Sequence, residues 1–479
     1  MKPRSRGALW AIWFVLVFGL LNIYGPGLRS YQPAGQAAMT DQEIVETMTP
    51  AQILGVILRN DTDTGRYLSY ANAILGRPYA AYYVRPMEQW THAEEADAAG
   101  LPSAIVTPDR PLLPWRDFSV EYPPGMLIAA LLPALLTADK DVYHLLFSLE
   151  MGLLLTLTVW LTVRTAERLA PERGRDALIF SILFIAGVGI VSLRRYDAVL
   201  ALALAAAIHA LAARKPVASG LALAVGIVVK GVPVLLAPIG LAWFAAQKAW
   251  AALARAAVGS AVLLAAALGL YLLLAGSHAG DVLAYHGGRP LEIESTYGAV
   301  LMLARLFDPD IATGVYSFGS QNIVSPWEPA LRQISGVAPI LGLIGVYAWC
   351  WTGLRRAGDD EARLRILFAA TAAVLVVFVV LGKVFSPQYM VWLLPVGTLA
   401  AISGSRQNRL LLLAACLLTQ LEFPFAFTVF SGDLDPRLGL LVLARNGILG
   451  WWAVLTLIEA TRPAEQVASI ASCAPAPSR

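Results

Sequence analysis

Apolar residues fall along this chain in blocks, several of them long enough to cross a lipid bilayer. After Lys2, Arg4 and Arg6, the stretch from Ala8 to Tyr24 contains no charged residue. Further blocks run roughly over 142–164, 176–193, 196–213, 217–229, 232–246, 255–275, 334–354, 364–382, 387–403, 408–428 and 438–459. A membrane-crossing helix needs about 20 mainly apolar residues, with about 17–25 tolerated. The pair 217–229 and 232–246 is short and is divided by Lys230-Gly231-Val232-Pro233. It reads either as a helical hairpin or as one kinked span.

Positive charge sets the sidedness. Basic residues crowd Arg164 to Arg175, Arg214 and Lys215, Lys248 to Arg255, Arg355 to Arg365, and Arg406 to Arg409. All of these face the cytoplasm if 217–246 is a hairpin and the short apolar stretch 122–137 does not cross. Were 122–137 a span, every later basic loop would face outward, against the positive-inside tendency. The expectation is therefore twelve spans with both termini inside, and an interfacial or re-entrant helix at 122–137. The basic start followed by an apolar run also fits a signal peptide, with a small-residue cleavage site near Ala34 to Ala38. The many apolar blocks that follow favour an uncleaved first helix.

Composition agrees with the pattern and excludes other classes. Hydrophobic residues make up 57% of the 479 and charged residues 14%, against about 25% charged in soluble domains. A net charge of +3 gives no footprint for nucleic acid. The three cysteines, Cys350, Cys416 and Cys473, have neither disulfide-framework nor zinc-site spacing. The predicted fold is an all-α polytopic bundle of about twelve transmembrane helices. It comprises a first helix (1–25), an outer loop (26–141), a transmembrane bundle (142–275), a second outer loop (276–333), C-terminal helices (334–459) and a cytoplasmic tail (460–479). The pattern from Ala51 to Leu75 predicts helices lying along the membrane surface, and the Pro/Ala/Ser-rich tail after Arg462 reads as disordered.

Polar residues gather on the outer side. The first outer loop carries Asp61-Thr62-Asp63-Thr64-Gly65-Arg66-Tyr67, then Gly76-Arg77-Pro78-Tyr79, and later Glu121-Tyr122-Pro123-Pro124. An outer turn reads Arg194-Arg195-Tyr196-Asp197. The second loop carries Tyr285-His286-Gly287-Gly288-Arg289-Pro290-Leu291-Glu292-Ile293-Glu294-Ser295, and another turn Lys383-Val384-Phe385-Ser386-Pro387-Gln388-Tyr389. Four segments thus bring carboxylates, cations and aromatic rings to one face. A carboxylate at the membrane boundary can take a proton from a hydroxyl. Arginine and lysine beside it can stabilise a departing phosphate, and aromatic rings offer flat apolar platforms.

In this order the motifs resemble the GT-C superfamily of integral membrane glycosyltransferases, and most of all glycosyltransferase family 87. The matching elements are Asp63-x-x-Arg66-Tyr67, Gly76-x-Pro78-Tyr79, Glu121-Tyr122-Pro123-Pro124, Arg195-Tyr196-Asp197, Lys230-x-x-Pro233, the stretch 289–295 and Ser386-Pro387-Gln388-Tyr389. They extend over about residues 60 to 395. The resemblance implies a polyprenyl-phosphate sugar donor, mannose in several members, and a lipid or polysaccharide hydroxyl acceptor. It implies Asp63 as the catalytic acid, with Glu121 and Asp197 as further candidates. Arg66, Tyr67, Arg195, Lys230, His286, Arg289, Glu294, Lys383, Gln388 and Tyr389 are then candidates for binding substrate. No cofactor or metal ion is called for, because polyprenyl phosphate leaves readily once a cation neutralises it.

Each candidate also has a structural reading. Asp61, two residues before Asp63, is the other candidate for the family's acid, although the Asp-x-x-Arg-Tyr spacing favours Asp63; Asp61 can equally serve as an N-cap, and on a helix the two acids point about 200° apart. Glu121 can simply hold its loop, and Arg194, Arg195 and Asp197 can form an ion pair at a tight turn, with Asp197 either a second acid or an orienter of Arg195. His286 and Arg289 can pair with Glu292 and Glu294, and Lys230 can lock the hairpin. Glu422 and Arg445, at similar depth on the last two spans, read as an ion pair between helices, and His209 as structural. Loop 85–117, rich in proline and acidic groups, is the segment for acceptor choice. Arabinofuranose or glucose as the donated sugar, a twelve-span transporter, and a binding or assembly component for envelope polysaccharide with inert acids are the alternatives. The transporter is disfavoured by polar motifs at one face rather than at the midplane.

Overall fold

The computed structural model describes residues 3–22, 62–86 and 104–462, and the apolar blocks within them are helical. The expected cleavage site, Asp61, most of the loop 85–117 and the tail after Arg462 lie outside the described residues. Helix α1 (Pro3–Asn22) is followed by α2 (Thr62–Ile74) and by strands β1 (Tyr79–Ala80) and β2 (Ile105–Val106), which pair antiparallel. Then come α3 (Pro124–Ala134), α4 (Lys140–Leu169), α5 (Arg173–Val188), α6 (Val191–Arg194), α7 (Asp197–Ala212), α8 (Pro216–Lys230), α9 (Ala237–Ala246) and α10 (Trp250–Ala275). The second loop contributes α11 (Asp281–Gly288), β3 (Leu291–Glu292), α12 (Thr296–Ala304), β4 (Thr313–Ser317) and β5 (Ser320–Val324). The chain closes with α13 (Glu328–Arg356), α14 (Asp360–Leu381), α15 (Met390–Ser403), α16 (Arg406–Gln420), α17 (Phe427–Phe430) and α18 (Pro436–Ala460).

Local chemistry sets the helix starts. The Asp139 carboxylate accepts the Val142 amide at 2.9 Å to cap α4, and Asp359, Ser295 and Ser405 cap α14, α12 and α16 in the same way. Proline opens α3, α8 and α18, where its missing N–H costs nothing.

Among the described residues, α4, α10, α13, α14, α16 with the turn that follows it, and α18 are long and apolar enough to cross a membrane. α1, α3, α7, α8 and the segment Val232–Ala246 are apolar but shorter. The 11 residues of α3 rise about 16 Å against a hydrocarbon core of about 30 Å. That agrees with an interfacial or re-entrant reading of 122–137. The break at 230–233 is real: α8 ends at Lys230, Gly231 turns the backbone at φ +71°, and a 3-10 turn (Val232–Leu236) leads into α9. The two arms share α10 as a neighbour, but α8 otherwise packs on α7 and α9 on α13.

The centre of the bundle is α15, which is buried from Met390 to Ile402. A helix apolar on all sides fits only where other helices cover it, and α4, α5, α7 and α14 do so. Helix α2 is covered more deeply than a helix lying on a membrane surface would be. Tyr67, Tyr70, Ala71 and Ala73 are buried against α3 and α4. The second loop is not all peripheral either. Its strands form an antiparallel sheet in the order β3-β5-β4, and α12 lies along α18 so closely that a Cβ on Gly439 would sit 2.9 Å from the Ala299 carbonyl. The expected Glu422–Arg445 ion pair is present and fully buried. His209 meets Thr165 Oγ1 at 3.0 Å, a structural contact.

Candidate active site

The site begins with the first turn of α2, where Asp63 and Arg66 lie one turn apart on one face. Asp63 Oδ2 meets Arg195 Nε at 2.5 Å, while Oδ1 is 3.8 Å from Arg66 Nη2, beyond hydrogen-bonding reach. Arg66 turns instead to Glu121, with Nη1 donating to Oε1 at 2.7 Å, and the Tyr70 hydroxyl donates to Oε2 at 2.6 Å. Both oxygens of Glu121 are therefore engaged. Thr64 Oγ1 lies 2.8 Å from His144 Nε2, which fastens this turn to α4.

The second wall is the start of α7 and the end of α8. Arg195 reaches Asp63, so Asp197 does not orient it. Asp197 Oδ1 instead takes Lys230 Nζ at 2.6 Å and Trp392 Nε1 at 2.5 Å. The reason is helical direction: Asp197 is the first residue of α7 and turns inward to α8 and α15, whereas Arg195 precedes the helix in an extended conformation. Lys230 lies over the rings of Tyr196, Tyr389 and Trp392 at 4.8, 4.8 and 5.0 Å. Tyr67 packs at 5.5–5.8 Å from Phe147 and Tyr196, inside the wall rather than on its surface.

The second loop and the 383–389 turn complete the enclosure. His286 Nε2 lies 2.9 Å from the Glu121 carbonyl, joining the two outer loops. Arg289 Nη2 donates to Glu292 at 2.9 Å. Lys383 Nζ donates to the Gly287 and Arg289 carbonyls at 3.0 and 2.7 Å. Gln388 and Tyr389 stand on the 3-10 turn Pro387–Tyr389, with the Tyr389 ring stacked 4.2 Å from Trp392. Glu294 sits apart, its carbonyl accepting from Arg445 at 2.9 Å. Burial, with Glu422 and Glu292 alongside, raises its carboxyl well above the ordinary range, which makes it a proton-holding group.

Exposure separates roles among these groups. The Asp63, Arg195, Lys230 and Arg289 side chains keep 18%, 11%, 12% and 12% of their surface accessible. Glu121 and Asp197 keep 6% and 1%. Asp63 is thus the acid that a substrate can reach. Arg289 Nε is buried and, among the described residues, has no hydrogen-bond partner. A buried donor left unsatisfied costs about 1–3 kcal/mol, and an anion would satisfy it. Burial raises the phenols of Tyr67, Tyr70, Tyr122 and Tyr285, so none supplies a phenolate base. Burial also lowers the His286 imidazole, which keeps it neutral.

Several members of the site had no claim in the sequence. Phe318 and Gly319, both at positive φ, form the two-residue turn of the β4–β5 hairpin. This turn reaches α2, where the Gly319 carbonyl lies 3.5 Å from Arg66 Nη2. The Ser-Phe-Gly-Ser run between two short β-prone stretches is a weak hairpin signal, and it says nothing of Arg66. Tyr70 and Trp392 carried no signal beyond being aromatic.

A multi-pass helical membrane protein with a reachable carboxylate among arginine and lysine is the class that fold and site define. A model of glycosyltransferase family 87 matches residues 120–381, more than half of the sequence, and the chain belongs to that family. It is accordingly a membrane glycosyltransferase dependent on polyprenyl-phosphate sugars, the class its motifs resemble. Asp63 and the 386–389 turn lie outside the matched range. No curated protein matches the chain. Among solved structures, ArnT from Cupriavidus metallidurans shows a remote likeness. Bound to undecaprenyl phosphate it is 13% identical with a TM-score of 0.45, over 95% of this chain and 78% of that one. In its apo state it is again 13% identical, with a TM-score of 0.44, over 94% and 78%.

Proposed function

We propose that the protein transfers mannose from a polyprenyl phosphate to a hydroxyl of a lipid or polysaccharide acceptor, at the extracytoplasmic face and with inversion. The observation that carries this reading is Asp63, the accessible carboxylate, with Oδ2 fixed by Arg195 and Oδ1, among the described residues, no nearer to a cation than 3.8 Å. The acceptor hydroxyl gives its proton to Oδ1 as its oxygen forms a bond to the anomeric carbon. The bond from that carbon to the phosphate oxygen breaks, and the electron pair leaves with the polyprenyl phosphate. Attack from the side opposite the phosphate inverts the centre. Arg289, whose Nε has no hydrogen-bond partner among the described residues, and Lys230 are the cations for the departing phosphate. Asp197 holds Lys230 in place from beneath, and Glu121 holds Arg66. The basic-residue distribution supports an outer site.

The test is transfer by the purified, reconstituted protein with labelled polyprenyl-phosphate mannose and membrane lipid extract, comparing wild type with Asp63→Asn. The expected result is transfer by wild type and a loss of about 10²–10⁴-fold in the variant, with donor binding kept. Transfer surviving in Asp63→Asn would move the base to another acid. Activity only with polyprenyl-phosphate arabinofuranose or glucose would keep the chemistry and change the sugar. No transfer from any such donor would overturn the reading and bring the transporter forward.

A further inference from the structure

One buried carboxylate outside the set just described joins two walls of the site. Glu292 Oε1 accepts Arg289 Nη2 at 2.9 Å and the Ser386 hydroxyl at 3.0 Å, and Oε2 accepts the Phe385 amide at 2.9 Å. Its own amide donates to the Lys383 carbonyl at 3.1 Å. Through β3 it is also in register with Asn322 of β5. A side chain so placed fixes the second loop and the 383–389 turn relative to one another.

The manner of its pairing with Arg289 matters more than the pairing itself. A carboxylate facing a guanidinium fork usually occupies two of its donors. Here Oε2 accepts the Phe385 amide, and the one contact with Arg289 is made through Oε1. Arg289 is held in place while Nε stays unpartnered among the described residues and the side chain stays partly accessible. Guanidinium carries five donors in a rigid fork, and one anchored donor leaves an edge suited to a phosphate.

We infer that Glu292 is a positioning residue that aims the partly accessible guanidinium of Arg289 at the donor phosphate and keeps the Lys383–Tyr389 turn in register with it. The inference rests on the polyprenyl-phosphate reading above. It acts on donor binding and leaves proton transfer to Asp63.

The test is a double-mutant cycle on the full-length protein in lipid nanodiscs, reading the Kd of labelled polyprenyl phosphate and the turnover number separately. Glu292→Gln should weaken binding by about tenfold or more, the effect of losing a charged hydrogen bond, while turnover at saturating donor falls much less. Glu292→Asp, which keeps the charge on a shorter arm, should recover part of the affinity. In an Arg289→Gln background, Glu292→Gln should add less than about twofold, because the group it positions is gone. An undiminished effect in that background would assign Glu292 a merely structural role and overturn the inference. Wild-type affinity in a folded Glu292→Gln protein would do the same. If Glu292→Gln fails to fold, Glu292→Asp carries the cycle with the same two criteria. A wild type that neither binds nor uses polyprenyl phosphate would refute the donor reading itself, an outcome distinct from either.

Discussion

Glu121 offers a sharp test, because the sequence admits it as a catalytic acid and its surroundings describe a lock. Its carboxylate is buried, with Arg66 on one oxygen and Tyr70 on the other. At 2.7 Å, opposite charges attract by about 6 kcal/mol at an effective dielectric of 20. Desolvation of both charges offsets part of that, and removing one member of a buried pair costs about 3–5 kcal/mol. Arg66 has 3% of its side chain exposed, so water cannot replace the lost partner. Its neighbours among the described residues include Asp63 Oδ1 at 3.8 Å, the Gly319 carbonyl at 3.5 Å and the Tyr83 ring at 5.9 Å. Glu121→Ala should therefore lower stability by about 3–5 kcal/mol, and let Arg66 swing onto Asp63 Oδ1. Glu121→Gln, which preserves one acceptor oxygen, should lose less. Thermal unfolding in detergent, read alongside transfer activity, measures both effects. Wild-type stability in Glu121→Ala would refute the lock. So would a Glu121→Gln protein that melts like wild type yet loses about 10²–10⁴-fold in turnover, since that is the signature of a general base.

Gly319→Ala should strain a backbone at φ +64° by about 1–2 kcal/mol and place a Cβ 2.8 Å from Arg66 Nη2. Thermal melts should fall slightly while transfer falls further, and unchanged transfer would show that the hairpin does not bear on the site. The Lys383 ammonium is brought down to about 8, first by burial and then by Arg289 and Arg332, against Glu328. Its folded pKa lies below that of the unfolded chain, so the charged form is penalised at low pH and stability should rise between about pH 8 and pH 10.5. Donor binding should weaken as pH rises through about 8, where folded Lys383 loses the charge beside the phosphate site. Lys383→Met should abolish both trends, and a pH profile identical to wild type would refute the assignment.

The helical plan was legible in the sequence because a bilayer solvates each segment on its own. A block such as 364–382 or 438–459 has to be helical wherever it sits, since its backbone finds no other hydrogen-bond partners in lipid. Depth arithmetic along two such helices was enough to pair Glu422 with Arg445. Much of the candidate site was legible as a set of segments: Asp63 with Arg66 and Glu121, Arg195 with Asp197, and the 285–295 and 383–389 stretches do meet. The partners within that set were not legible. Arg195 goes to Asp63, and Asp197 goes to Lys230 and Trp392. Helix α2, read as a surface helix, is instead buried against α3 and α4, and the β4–β5 turn reaches it at Arg66.

What the sequence by itself determined is therefore the class of the protein, its membrane segments and the residue types that its chemistry employs. Those follow from properties read along the chain, such as hydropathy, charge asymmetry and the local order of motifs. Only the tertiary structure decided which carboxylate stays accessible and which are locked. Arg66 meets Gly319 across 253 residues, and Asp197 meets Trp392 across 195. Contacts at such separations depend on how loops and helices pack in three dimensions, which no local pattern encodes. Asp63 and Glu121 are both loop acids in the sequence, and burial and partners are what leave one accessible and give the other an arginine to hold.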